Sequence, residues 1–396
     1  MLKVNKYSLF IVLICILLLG TLVQTILPFN LNRMVGFCLF FLTLFFLLCK
    51  KNNFYILILS VLSVMFSFLT TSDIATNLSN SIYWLIAIWL IYMSEDIMFQ
   101  EKIILAFIKE RKLIRLTIIF ADLILAFLLV SGNGYKISFS ERYFVGFTAH
   151  QHTMASAACF IMCLVLIDLY NSSKVIKDKF PTKHFLMMLP AIIAVLQSSA
   201  RVFLIPATII IIYLYLYKID RVSIKLLILP LVVVIMGYLL INSNVFDRMV
   251  NISGENSDAY TSGRTVFWLK DIEAFLQSNF INKIFGHGFD YVQLINLSLT
   301  GIAIGAHNDY ITLLLGLGLF GTSIYISILI REIKNTICLK SLFKEVMLFA
   351  FWFIPSFING FYGYQLLLYG YIFFKLIVFS ESNMKTTLVN VRNITA

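Results

Sequence analysis

Apolar residues along this chain gather in long blocks, and polar residues are largely confined to the joints between them. The blocks fall near 7–27, 34–49, 54–70, 78–93, 113–131, 146–170, 185–200, 202–217, 226–242, 308–330, 346–359 and 362–379. A helix needs about 20 mainly apolar residues to cross a bilayer core, and unbroken runs approaching that length predict spanning helices. The pattern predicts an all-α polytopic membrane protein with twelve transmembrane helices, although 185–217 also reads as one kinked segment. The first block, Tyr7 to Leu27, exceeds a signal-peptide core and is followed by no small-residue cleavage site, so it is expected to be retained.

Two joints are long. Residues 94–112, "SEDIMFQEKIILAFIKERK", read as an amphipathic helix on the inner surface. The other joint runs from about Ile241 to Ala306 and is rich in Asn, Ser, Gly and charged residues. The chain thus divides into a bundle over 1–242, a large outer loop over 243–306, the rest of the bundle over 307–379 and a tail over 380–396. No internal repeat is visible by eye.

Composition agrees with the pattern: 60% of residues are hydrophobic, only 13% are charged, and mean hydropathy is +0.91. Soluble domains carry about twice that charged fraction. A net charge of +11 raises nucleic acid as a partner, but the placement of the charges removes it. With the N-terminus inside, the inner segments hold 21 of the 31 basic residues and the outer segments eight. That is the positive-inside bias, and it puts both termini in the cytoplasm. Arg115 and Lys375 lie near inner helix ends, where long side chains can snorkel. Cys15, Cys38, Cys49, Cys159 and Cys163 fall in predicted helices and Cys338 in an inner joint, so no disulfide framework is expected.

Within the outer loop, "TSGRTVFWLKDIEAFLQ" reads as a helix starting at Ser262 and Gly263. Val266, Leu269, Ile272, Phe275 and Leu276 recur at helical spacing, a stripe expected to rest on the bundle. "FGHGFDYV" reads as a glycine-flanked turn around His287. Arg264 stands in the first turn of this helix, where the positive end of the dipole disfavours a cation by about 0.3–1 kcal/mol. An anion bound there would resolve the conflict; pairing with Asp258 or Glu273 is the plainer alternative.

Arg201 stands between two apolar runs on the outer side, where ionisable residues are expensive and usually functional; Ser198 and Ser199 beside it add hydroxyl donors. His307 opens the tenth block, with Asn308 and Asp309 placed either to orient its ring or to cap the helix. Gly316, Gly318 and Gly321 predict close packing rather than ligand contact. His150 and His152 begin the sixth block; two apart, they would point to different helix faces, which argues against a metal pair, though one can line the outer cavity. Asp122, deep in the fifth block, reads as a structural hydrogen-bonder or a neutral acid.

Two arginines and a histidine thus fall on the outer face beside the large loop, with no nucleotide-binding loop or metal cluster in the sequence. A lipid diphosphate leaving group suits them: guanidiniums take up the developing charge and histidine deprotonates an attacking hydroxyl.

The segments "QSSARVFLIP", "SGRTVFWLKDIEAF" with "FGHGFD", and "AHNDYITLLLGLGLFG" resemble the O-antigen polymerase and ligase family of bacterial envelope enzymes. The resemblance spans roughly 185–330; before that the match is in hydropathy and span count alone. It implies a GT-C-like helical bundle with one large periplasmic loop, in the inner membrane, with the active site facing the periplasm. It implies inverting, metal-independent transfer of glycan from an undecaprenyl diphosphate carrier to an acceptor hydroxyl, with no cofactor. By the same resemblance His307, Arg264 and Arg201 are catalytic and Arg201 and Arg264 also hold substrate; by their positions Ser199, Asn308 and His152 are expected to join them in binding. Ala200 before Arg201 and Asp309 after Asn308 depart from the family's pattern without removing a charge the chemistry needs. A polymerase passes the chain to a lipid-linked repeat unit and a ligase passes it to lipid A–core. The "HNDYITLLLGLGLFG" form and short loops favour the polymerase, and His152 in "AHQH" favours the ligase. Implied partners are the lipid-linked oligosaccharide, membrane lipids, a chain-length regulator and a flippase. A lipid-glycan or anion transporter is the reading from another class; missing repeats and missing paired charges through the membrane argue against it.

Overall fold

The computed structural model describes residues 5–49, 54–138, 141–175, 182–218, 264–301, 303–337 and 341–394. The predicted span 226–242, most of the outer loop before Arg264, and with it Asp258, Ser262 and Gly263, lie outside the described residues.

Helices occupy eleven of the twelve expected positions. They are α1 (Lys6–Leu22), α2 (Leu31–Leu48), α3 (Phe54–Ser67), α4 (Ile74–Met93), α5 (Ile97–Lys109) and α6 (Arg111–Ser131). After a hairpin of β1 (Tyr135–Ser138) and β2 (Glu141–Phe144) come α7 (Gln151–Val175), α8 (Thr182–Gln197) and α9 (Arg201–Lys218). Among the described residues of the outer loop three helices follow, α10 (Arg264–Gln277), α11 (Phe280–Phe285) and α12 (Tyr291–Thr300). The chain closes with α13 (Asp309–Ile337), α14 (Leu342–Ile358) and α15 (Gln365–Ile394). Among the described residues, α2, α4, α6, α7 and α13 are long and apolar enough to cross a membrane, and α1, α3, α8 and α9 are shorter apolar helices.

α7 is the axis of the bundle. From Met154 to Tyr170 its residues are buried all round, packed by α6, α8, α9 and α15. Its small residues make that possible: Ala155, Ala157 and Ala158 keep the helix narrow, and Gly370 of α15 lies so close that a Cβ there would sit 3.3 Å from Cys163 Sγ. Membrane helices associate through such close approach, since lipid and leucine are equally apolar. The amphipathic joint is α5, whose Phe99, Ile103 and Phe107 are buried while Ile97 and Leu105 are exposed.

Several expectations change. The hairpin was not expected; β1 pairs antiparallel with β2, Tyr135 opposite Phe144, between strand runs that alternate as "YKIS" and "ERYF". The last helix, α15, runs on through the predicted tail to Ile394. Lys375 does not snorkel. It is fully buried and ion-paired with Glu332 at 2.5 Å, with Ser94 accepting a further bond at 2.9 Å and Tyr371 donating to Glu332. Arg115 likewise turns to Asp168, donating from Nη2 and Nε at 3.0 and 3.2 Å, and His184 closes on the same carboxylate at 3.2 Å. Paired charges within the bundle therefore exist, contrary to expectation, because a buried charge without a partner costs several kcal/mol. Asp122 Oδ1 is buried with no partner among the described residues, so it is no structural hydrogen-bonder there.

The glycine run of α13 packs as predicted, against the outer loop. Gly318 leaves helical geometry at φ 65°, ψ −168°. The break frees the carbonyls of Leu315 and Gly316, which accept from the backbone N–H groups of His287 and Gly288 at 2.8 and 3.0 Å. A Cβ on Gly318 would lie 2.3 Å from Ile284 O, and one on Gly286 2.3 Å from Gly316 O. Asp290 then clamps the loop to the α3–α4 turn, accepting from Thr71 and Ser72 hydroxyls and from the N–H groups of Ser72 and Asp73. His287 belongs to this clamp: Asn282 Nδ2 donates to its Nδ1 at 3.1 Å, and Nε2 meets Ser278 Oγ at 2.7 Å.

The stripe on α10 faces the wrong way for the expected rest on the bundle. Val266, Leu269, Ile272 and Leu276 are exposed, while Asp271 is buried and Trp268 packs inward, donating to Ala306 O at 2.7 Å. The indole needs a polar partner and an apolar wall together, and the inner side of α10 supplies both; Phe357 lies 5.8 Å from its ring centroid.

Candidate active site

Four helix starts meet at one end of the bundle: those of α7, α9, α10 and α13. Each helix start carries a partial positive charge, so the meeting point favours an anion before any side chain is counted.

At the start of α7, His150 lies just outside the helix and His152 in its first turn. Thr148 Oγ1 donates to His150 O at 3.0 Å, and the N–H of His152 donates to His150 Nδ1 at 3.3 Å. Because His150 is not helical, the two rings stack with centroids 4.9 Å apart instead of pointing to different faces.

Arg201 is the first residue of α9. The two runs on either side of it are separate helices, α8 and α9, broken at Ser198–Ala200 by Ser199 in the left-handed region at φ 55°. Ser198 Oγ donates to Val195 O and accepts from Ala200 N, which holds that turn. Ser199 is buried in it.

Arg264 is the first residue of α10, and its guanidinium reaches the end of α14, donating to Ile358 O and, at 3.5 Å, to Asn359 Oδ1. That end exposes the free carbonyls and negative pole of α14, which explains a cation at the start of α10. Glu273, an expected partner, is instead bound by Lys270 at 2.8 Å. Burial and the proximity of Arg201 both lower the Arg264 pKa, against Tyr364, which raises it. A guanidinium remains charged through such shifts. The two arginines therefore stand close enough to repel.

His307 precedes α13 with φ 51°, a second left-handed residue. Its neighbours hold it through the backbone. Asn308 Oδ1 caps α13, accepting from Tyr310 N at 3.0 Å and Ile311 N at 3.2 Å. Asp309 Oδ2 accepts from Ser356 Oγ and Phe361 N, both at 2.8 Å, tying the turn to the α14–α15 connection. Asn308 and Asp309 thus bind backbone and Ser356 rather than the ring, and Asn359 stands near enough to the His307 imidazole to raise its pKa. His307 lies 6.5 Å from His152, centroid to centroid. Burial, Arg264 and His150 lower its pKa, Asn359 raises it, and the balance is about 4. At neutral pH the imidazole is uncharged and has a lone pair to accept a proton.

Asn359 and Tyr364 escaped the sequence reading. Asn359 joins two groups, receiving Arg264 and donating to Tyr364 Oη at 3.2 Å, and it stands near enough to His307 to raise its pKa. Tyr364 lies edge-on to His152 at 6.2 Å and to Phe203 at 5.2 Å. The signal was "INGFYGYQ", a polar, glycine-bearing break between two apolar blocks. Gly360 adopts φ 112°, and a Cβ there would lie 3.1 Å from Asp309 Oδ1. Arg201, Arg264, His307, His152 and Ser199 all belong to elements that converge here, and Asn308 caps the helix that begins beside His307. The arrangement can bind a multiply charged anion next to a neutral base.

Residues 185–326 match the family model described as O-antigen ligase. The matched segment holds Arg201, Arg264 and His307. No curated protein and no solved structure matches the chain.

Proposed function

From the place of residues 185–326 in the O-antigen ligase family, we propose that this chain is a polymerase of O-antigen or a related surface polysaccharide. It transfers the growing glycan from an undecaprenyl diphosphate carrier to a lipid-linked repeat unit. The observation that carries the proposal is the meeting of Arg264, Arg201 and neutral His307 where four helices start.

In this reading the acceptor hydroxyl oxygen attacks the anomeric carbon as the bond from that carbon to the diphosphate oxygen breaks. His307 takes the hydroxyl proton, and Arg201 and Arg264 stabilise the charge gathering on the departing diphosphate. One displacement inverts the anomeric centre. Asn359 braces Arg264 beside His307. The described helices belong to a GT-C-like bundle in a bacterial inner membrane, with this site in the periplasm and both termini in the cytoplasm. A chain-length regulator and a flippase are its functional partners.

The ligase reading, transfer to lipid A–core, draws on His152, whose ring lies 6.5 Å from His307. A gel of surface lipopolysaccharide from a strain lacking the gene separates the two. Core bearing a single repeat unit identifies the polymerase, bare core with long glycan left on its carrier identifies the ligase, and an unchanged ladder rejects both for this polysaccharide.

A further inference from the structure

The bundle has a second opening at the same end. A cavity of about 450 Å³ lies between α2 and α4, walled by Gly36 and Phe37 on one side and Ala75, Leu78 and Ile82 on the other. It adjoins a cavity of about 300 Å³ through Arg33, Ser79 and Tyr83, which line both. The first is mainly apolar and opens to the outside of spanning helices, where Phe37 and Leu78 are exposed. The second is polar, with Asn30, Asn32 and Gln365 in its wall, and it ends at Thr153 and Tyr364, the back of the site just described.

Three groups here lack partners. Asn32 Oδ1 and Gln365 Nε2 are buried at the polar cavity with no hydrogen bond among the described residues. The Arg33 side chain makes no ion pair among them either. The Asn32 and Gln365 atoms face protein, whereas Arg33 lines both cavities and is exposed, so its guanidinium is the group free to take an anion there. Asn32 is also pressed tightly into place: a Cβ on Gly20 would lie 2.8 Å from its Oδ1.

We propose that these joined cavities are a second lipid site, which takes a polyprenyl diphosphate-linked glycan as acceptor. The polyprenyl chain lies in the groove between α2 and α4, Arg33 holds the diphosphate, and the polar wall of the second cavity receives the first sugar. The glycan then extends past Tyr364, whose hydroxyl accepts from Asn359, toward His307. The acceptor role rests on the transferase reading; binding at Arg33 does not. Two diphosphate sites, one at Arg201 and Arg264 and one at Arg33, are what a polymerase needs, since both its substrates carry that group.

Native mass spectrometry of the full-length protein titrated with undecaprenyl diphosphate tests this. The expected result is two lipids on the wild type, one on Arg33→Ala and one on Arg264→Ala, with Arg33→Lys keeping two. Gly36→Leu serves as a second variant: the only atom within 4 Å of a Cβ there is Gln365 Oε1 at 4.0 Å, so a larger side chain fills the groove without a backbone clash, and one lipid is expected. A single lipid on the wild type, or two on Arg33→Ala, overturns the proposal. So does displacement of the Arg33-dependent lipid by phosphatidylglycerol or by inorganic diphosphate at equal concentration, which would mark a general anion surface. Two bound lipids without glycan transfer remove the transferase reading and leave this site standing; transfer with one bound lipid does the reverse.

Discussion

Asn359 Oδ1 receives the Arg264 guanidinium at 3.5 Å while its Nδ2 donates to Tyr364 Oη at 3.2 Å, and the amide stands near enough to His307 to raise that imidazole's pKa. In the proposed transferase one neutral amide thus braces the cation that takes up the leaving group, beside the base. Asn359→Ala is expected to lower the transfer rate about 10- to 100-fold, the worth of a hydrogen bond to a charged group at about 1.5–3 kcal/mol. The check is kcat with purified protein, with Asn359→Gln recovering part of the loss.

The His307 pKa near 4 sets a pH dependence. Only the neutral ring can take the proton, so kcat/KM should be flat from about pH 6 upward through neutrality and fall on the acid side with a midpoint near 4. Asn359→Asp places a carboxylate beside the ring and should move that midpoint upward. Stability follows the same group: the unfolded histidine, with a pKa of about 6.5, binds its proton first, so stability falls as pH drops from about 6.5 to 4 and the loss levels off below. The full contribution is about 3 kcal/mol, readable as a falling Tm across that window.

Gly318→Ala should be poorly tolerated. Its φ of 65° strains an alanine, and the new Cβ would lie 2.3 Å from Ile284 O. The expected cost is about 2–4 kcal/mol, from left-handed strain and overpacking together, seen as a lower Tm of the solubilised protein. Gly305→Ala, where nothing lies within 4 Å, is the matched control.

Lys375→Met leaves Glu332 buried without its cation and should destabilise the protein by about 3–5 kcal/mol. Lys375→Met with Glu332→Gln should regain most of that. If the pair is structural, the double variant keeps glycan transfer; a stable double variant that has lost transfer would give the pair a part in function, as a transport reading requires.

Much of the bundle was legible because lipid makes helical blocks long and apolar, and eleven of twelve blocks coincide with helices. What escaped was set by partners remote in sequence. The side a helix presents depends on what lies beside it, so the α10 stripe pointed outward once Trp268 found Ala306 O and Phe357. Lys375 was read as snorkelling because Glu332, 43 residues away, could not be seen as its neighbour. Arg264 and His307 stood out as polar groups at apolar boundaries. Asn359 did not, since an Asn-Gly break between two spans reads as an ordinary turn until the chain brings it against Arg264.

The most direct test of the central claim is transfer by the purified protein from undecaprenyl diphosphate-linked repeat units, read as formation of dimers and longer glycans with release of undecaprenyl diphosphate. His307→Ala, Arg201→Ala and Arg264→Ala, each folded as judged by Tm and size exclusion, are predicted to reduce product by at least about 100-fold, the loss typical of removing a positioned base or a charge-stabilising group. Wild-type rates in any of the three would contradict the account and strike that residue from the mechanism.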